Sequence, residues 1–173
     1  MRGRHFAGIG LLAMAISGCG YHVSGHGDLL PKTVKTIAVP AFGNATTRYQ
    51  LARLLPEDIA REFISRTRYR IVADPAQADA VLTGTIGNAY AYPTTLDTTS
   101  GRATAALMGV TMQLTLTDRA TGMVIWSRPS YDFHERYEIS LDPQKYFDES
   151  GPAMIRLSRD VAQDMVTSIL EKF

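Results

Sequence analysis

A single cysteine, Cys19, stands in the 173-residue chain, so no internal disulfide can form and no thiolate cluster can hold a metal. Neither sign of charge prevails: 18 Lys and Arg face 17 Asp and Glu, a net charge of +1. That balance argues against a general nucleic-acid binder, which shows a basic excess. No apolar run approaches the roughly 20 residues that a membrane-crossing helix needs, and 45% hydrophobic residues are too many for a disordered chain. The familiar catalytic signatures are missing as well, with no GxSxG, HExxH, GxGxxG or phosphate-cradling glycine loop. One globular domain without advertised covalent chemistry is what these absences leave.

The cysteine closes a segment with its own architecture. Arg2, Arg4 and His5 precede an apolar run over residues 6–16, and Ser17-Gly18-Cys19 follows. A run this short with a basic start and small residues at its end reads as an export signal, not as a helix of the fold. Ile16-Ser17-Gly18-Cys19 matches the bacterial lipobox, in which an aliphatic and two small residues precede a cysteine that becomes the acylated N-terminus. Only sulfur can form the thioether to diacylglycerol. The expectation is a signal peptide over 1–18, then a Cys19 bearing diacylglycerol and an N-acyl chain, because one chain anchors only marginally at about 0.8 kcal/mol per buried methylene. Loss of Arg2 and Arg4 moves the net charge from +1 to −1. The protein is then anchored to a membrane without crossing it. Gly20, not Asp, follows Cys19, which under enteric-type sorting directs a lipoprotein to the outer membrane.

Residues 19–33 read as a lipidated terminus and tether, rich in glycine and closed by Pro31. A single domain is expected over 34–173. Thr36-Ile37-Ala38-Val39 is a β-favouring run ended by Pro40, with Gly43-Asn44 as a turn. Leu51, Leu54, Leu55, Ile59 and Phe63 recur at helical spacing, and Pro56 should kink that helix or mark its first turn. Residues 69–72 form a short strand. Over 80–92, Leu82, Ile86, Tyr90 and Tyr92 are expected on one face of a long strand, with Gly84 and Gly87 as bends or bulges. A polar loop over 93–102 precedes a strand in which Val110, Met112, Leu114 and Leu116 alternate with Thr111, Gln113, Thr115 and Thr117. After a turn at 118–122, a last strand sets Tyr131, Phe133, Tyr137 and Ile139 against Asp132, His134, Arg136 and Glu138, with Pro129 as a bulge or edge position. The closing helix starts near Pro152, capped by Ser150 or Gly151, and its stripe is Ile155, Val161, Ala162, Met165, Val166, Ile169, Leu170 and Phe173. Two amphipathic helices on one side of a largely antiparallel sheet make an α+β domain, with the opposite sheet face polar.

Candidate chemistry is sparse. His22 and His26 lie four apart in a glycine-rich stretch that is a solvated tether, so no metal site is expected. His134 sits in a polar row with carboxylates but lacks a nucleophile. Charge is segregated: six Arg against three acids over 48–70, and six acids against Arg136 and Lys145 over 132–149. Such segregation steers a partner or meets lipid phosphates, or else marks two solvated faces. The row of Thr and Gln on the sheet suits a wet interface inside another protein.

Four runs bear a family likeness: Cys19-Gly20-Tyr21; residues 36–44, TIAVPAFGN, with Thr46; residues 78–86, ADAVLTGTI; and residues 121–126, TGMVIW. In this order, with the lipobox and closing helix, the chain resembles the LPS-assembly lipoprotein family LptE. The resemblance implies two helices on a mixed, mostly antiparallel sheet of about four strands. It implies a lipoprotein on the periplasmic side of the outer membrane that plugs and helps assemble the LptD β-barrel and binds lipopolysaccharide, with no covalent catalysis, metal or free cofactor. A loop arginine suits lipid A phosphates through its fork of donors. By loop position the candidates are Arg102, then Arg119 and Arg128. The competing reading is a lipoprotein activator of a penicillin-binding protein, which shares the first-strand motif. A tether of fourteen residues from Gly20 to Thr33 reaches only about 50 Å, which favours a partner at the membrane.

Overall fold

The computed structural model describes residues 30–142 and 149–171. The signal segment, the lipobox residues Ile16, Ser17, Gly18 and Cys19, and His22, His26 and Phe173 lie outside the described residues. Elements follow in the order β1 (Thr36–Ala38), β2 (Gly43–Asn44), α1 (Tyr49–Arg66), β3 (Arg70–Val72), a 3-10 turn (Pro75–Gln77), β4 (Ala80–Leu96), β5 (Ala103–Asp118), β6 (Val124–Glu138) and α2 (Ser150–Glu171). Packing already begins at Leu30, which is buried, four residues before the expected start of the domain.

All strands join one sheet of six, in the order β3-β1-β4-β5-β6, with β2 also on β4. The expectation of about four strands is thus corrected to six, because β1 and β3, which the sequence shows as short β-favouring runs, join the three long strands together with the two-residue β2, which is too short to show a pattern. β1 lies parallel between β3 and β4, and β2 continues along β4 with Gly43 opposite Thr85. Gly43-Asn44, expected as a turn, pairs because glycine lets the backbone approach: a Cβ there would stand 3.3 Å from Thr85 Oγ1. Asp79 fixes the entry to β1, where Oδ2 accepts from the amides of Lys35 and Thr36, each at 2.9 Å.

Beyond Ile86 the parallel strands have ended, and β4, β5 and β6 continue as a three-stranded antiparallel ribbon. β4 runs to Leu96 and β5 starts at Ala103, so the polar loop expected over 93–102 shrinks to 97–102. Pro93 is tolerated inside β4 because, among the described residues, no strand pairs with its outer side. One bulge follows directly at Pro93/Thr95, and β6 carries another between Arg128 and Tyr131, around Pro129.

Both helices cover the same sheet face. Leu51, Leu55, Ile59 and Phe63 of α1 are buried at intervals of four, as are Ala153, Leu157, Val161, Met165 and Ile169 of α2, with Met154 buried beside them. Ile155, expected in that stripe, is 40% exposed, since it falls on the far side of the helix. α1 runs through Pro56, which is buried and costs the helix one internal hydrogen bond. α2 begins at Ser150, so Pro152 sits in its first turn, where a missing N–H is harmless. The helices run in the same direction: Ser158 Oγ donates to Asp58 Oδ2 at 2.7 Å, and farther along Arg66 Nη1 donates to Thr167 Oγ1 at 2.6 Å. Asp58 is buried and accepts from Arg61 too, which compensates its desolvation. Between helices and sheet lie Val110, Met112, Leu114 and Leu116, the inward row that the alternation of β5 announces.

Candidate functional site

Ladder partners in a sheet share a face, and the pairing shows where the open face changes character. Thr83, Thr85, Thr111, Gln113 and Thr115 form a polar field around the middle of the sheet, with Thr83 opposite Thr115, Thr85 opposite Gln113 and Thr111 opposite Asp132. Thr111 Oγ1 donates to Asp132 Oδ1 at 2.6 Å. At Gly87 one extra residue enters β4. From there on the parity reverses: Ile86 lies opposite buried Met112, whereas Tyr90 lies opposite Gly109 and Tyr92 opposite Leu107. Tyr90 and Tyr92 therefore stand on the open face, not with Leu82 and Ile86 as the alternation suggests. Their rings stack at 6.0 Å, and the Tyr90 ring crosses Gly109 so closely that a Cβ there would meet its Cζ at 2.4 Å. Tyr90 Oη lies 2.7 Å from His134 Nε2, and Arg136 Nη2 reaches Thr95 Oγ1 at 3.4 Å. Sequence reading placed no function on this aromatic end; the glycine inside a long strand was the signal, once followed through to its effect on parity.

The ribbon ends in the loop 97–102, and the other end of β5 turns at 118–123; the two are built alike. Asp97 Oδ1 accepts from Ser100 N and Oγ, both at 2.6 Å, while Asp118 Oδ1 accepts from Thr121 N at 2.8 Å and Oγ1 at 3.0 Å. Gly101 and Gly122 follow at φ 68° and 71°, a left-handed conformation natural to glycine. Each amide returns to the carbonyl of its aspartate, at 2.9 and 2.8 Å, and Asp97 N and Asp118 N close on Arg102 O and Met123 O. The hydroxyl and amide of Ser100 hold the Asp97 carboxyl below its ordinary range, and the amide and hydroxyl of Thr121 do the same for Asp118.

The structure does not bring the three candidate arginines together. Arg102 and Arg119 flank opposite ends of the sixteen residues of β5, about 50 Å apart along an extended strand. Arg102 is exposed at the ribbon tip, with its backbone in the loop bonds. Arg119 is tied down: its Nε donates to Ala78 O at 2.5 Å and its amide to Asp79 O at 2.8 Å. Arg128 lies beside the β6 bulge, donating to Ser168 Oγ of α2 at 3.1 Å, in a cleft of about 600 Å³ shared with Asp164 and Glu171. Nearby, Tyr131 Oη donates to Asp164, and burial together with that carboxylate pushes the phenol well above its usual range. Among the described residues no helix is long and apolar enough to cross a membrane, and no group of three or more His, Cys, Asp or Glu is gathered as for a metal ion.

Two helices on one face of a mixed sheet that runs out into a long ribbon define a class of α+β domain found in bacterial lipoproteins. Solved structures with this fold include lipoprotein B of Nitrosomonas europaea (17% identity, TM-score 0.55, covering 82% of this chain and 84% of that one) and the rare lipoprotein B of Shewanella oneidensis (12%, 0.50, 79% and 95%). The PelC dodecamer of Paraburkholderia phytofirmans is also similar (18%, 0.50, 83% and 92%). No curated protein matches the sequence. Residues 34–169 match the model of the LptE family, Lipopolysaccharide-assembly, and the chain belongs to that family.

Proposed function

We propose that this protein is an outer-membrane lipoprotein, held at the periplasmic side by diacylglycerol and a palmitate-type N-acyl chain on Cys19, that joins the LptD β-barrel as its plug and assembly factor. In that complex it binds lipopolysaccharide on its way to the outer leaflet and performs no covalent chemistry. The observation that carries this reading is the family match over 34–169, which takes in every strand, all of α1 and all but the last two residues of α2. The geometry adds a ranking. All three candidates are exposed, but the side chains of Arg119 and Arg128 are engaged by Ala78 and Ser168, so Arg102 at the ribbon tip leads the phosphate-binding candidates. A charge-assisted hydrogen bond from a guanidinium fork suits a phosphate monoester.

The test is to solubilise native membranes in mild detergent, capture the protein by a C-terminal tag and identify what co-purifies in stoichiometric amount. One large outer-membrane β-barrel is expected. A penicillin-binding cell-wall synthase in its place, or the lipoprotein alone, overturns the reading.

A further inference from the structure

The chain enters the domain beside an apolar groove with a cationic rim. Leu30 and Val34 are buried, the Leu30 amide donates to Tyr69 Oη at 3.3 Å, and Pro31 completes the floor of a cavity of about 380 Å³. Lys32, Lys35 and Arg68 line its margin. Arg70 opens the adjacent strand β3, with its amide on Lys35 O at 3.0 Å. All four cations are exposed. The arginine excess over 48–70 becomes intelligible here. Arg53, Arg61 and Arg66 pair with Glu57, Asp58 and Glu62 along α1, which uses every acid of that segment. Lys32, Lys35, Arg68 and Arg70 have no acidic ion-pair partner among the described residues, and Asp79 turns Oδ2 onto the amides of Lys35 and Thr36.

Cys19 lies eleven residues before Leu30, a reach of at most about 40 Å. The groove is therefore the part of the domain joined most directly to the anchor. We propose that this cationic rim docks on the anionic phospholipid headgroups of the leaflet that holds the Cys19 acyl chains, with the apolar floor taking the aliphatic stems and the interfacial part of a lipid. The inference rests on acylation of Cys19. Its physical basis is opposite charge at short range together with an anchor that keeps the surface near, the combination by which acyl chains and basic patches reinforce each other.

The experiment uses the mature acylated protein reconstituted in phosphatidylcholine vesicles with or without about one fifth phosphatidylglycerol, followed by hydrogen exchange. Amides over 30–35 and 68–70 are expected to exchange roughly tenfold more slowly in the anionic vesicles, and to lose that protection in about 1 M salt, where the Debye length falls to about 3 Å. The variant K32E/K35E/R68E/R70E should lose it too, while core amides of β5 in the same experiment report that the fold persists. Equal exchange in both vesicles, with Cys19 shown by mass to be acylated, overturns the docking alone. So does protection produced by inorganic phosphate or by lipopolysaccharide but not by phosphatidylglycerol. An unmodified Cys19 overturns the anchor and the docking together.

Discussion

At 97–102 and at 118–123 the chain turns back through the same hydrogen bonds around an aspartate and a left-handed glycine, yet the surroundings differ. The second turn abuts β1 and the 3-10 turn through Arg119, whose guanidinium and amide reach Ala78 and Asp79. The first ends the ribbon at a tip where Tyr92 and Leu96 are 49% and 57% exposed and, among the described residues, no further strand pairs. One local motif thus serves two purposes. Where tertiary contacts gather around it, its arginine becomes part of the scaffold; where they do not, its arginine is left to meet something else. Loop chemistry sets the shape of a turn, and the rest of the fold sets its use.

The comparison can be broken most forcefully in the side chains behind each turn. Leu116→Ala, next to the inner turn and fully buried, should cost about 2–5 kcal/mol in denaturant unfolding, whereas Leu96→Ala at the outer tip should stay within about 0.5 kcal/mol; equal losses would mean that the ribbon tip is as consolidated as the core. Smaller effects come from the glycines. Gly122→Val and Gly101→Val each force a side chain into a left-handed backbone at about 1–2 kcal/mol, and amide exchange should spread the first loss across the sheet and confine the second to the ribbon. Next are the arginines. Arg119→Ala should lower stability by about 1 kcal/mol through its hydrogen bond to Ala78 with little effect on lipopolysaccharide capture, and Arg102→Ala should do the reverse; a lipopolysaccharide defect from Arg119→Ala alone would invert the ranking.

The smallest effect is acid sensitivity. Both aspartates have folded pKa values depressed by hydroxyl and amide donors, so the stability they contribute is present above the unfolded value and is lost as pH falls through the folded one. Titration of the Ser100 and Thr121 amide signals should give midpoints below the ordinary aspartate value of 3.8 in both loops. A midpoint at or above it in one loop would show that the two are not equivalent.

Much of the fold is legible along the chain because burial leaves a period. The inward row of β5, the helix faces of Leu51 to Phe63 and Val161 to Ile169, and the irregularity at Pro129 all follow from residues read locally. Of the short strands, β1 and β3 show in the sequence as β-favouring runs, but the two-residue β2 leaves no pattern, and the pairing of β1 and β2 is decided by Ala80 and Thr85, far away in sequence. Tyr90 and Tyr92 lie on the face opposite to the one the alternation suggests, because a single extra residue at Gly87 inverts the parity up to the next bulge at Pro93/Thr95. The candidate site shows the same division. Arg102 is visible as a loop cation, but that Arg119 is committed to a carbonyl 41 residues away can be seen only when the chain is folded, and the expected lipobox lies outside the described residues.

Among the described residues, both outer strands of the ribbon, β4 beyond Ile86 and β6 along its whole length, have one side without a strand neighbour. A long bare edge invites templated growth, in which another chain adds itself strand by strand into an aggregate. Here each edge is interrupted partway by a proline, Pro93 or Pro129, and by an extra residue at Pro93/Thr95 or between Arg128 and Tyr131. A proline offers no amide and a bulge breaks the repeat, so an incoming strand can bond only a few residues before the pattern fails. The proline and the extra residue partway along each strand thus limit how far another strand can pair along these edges.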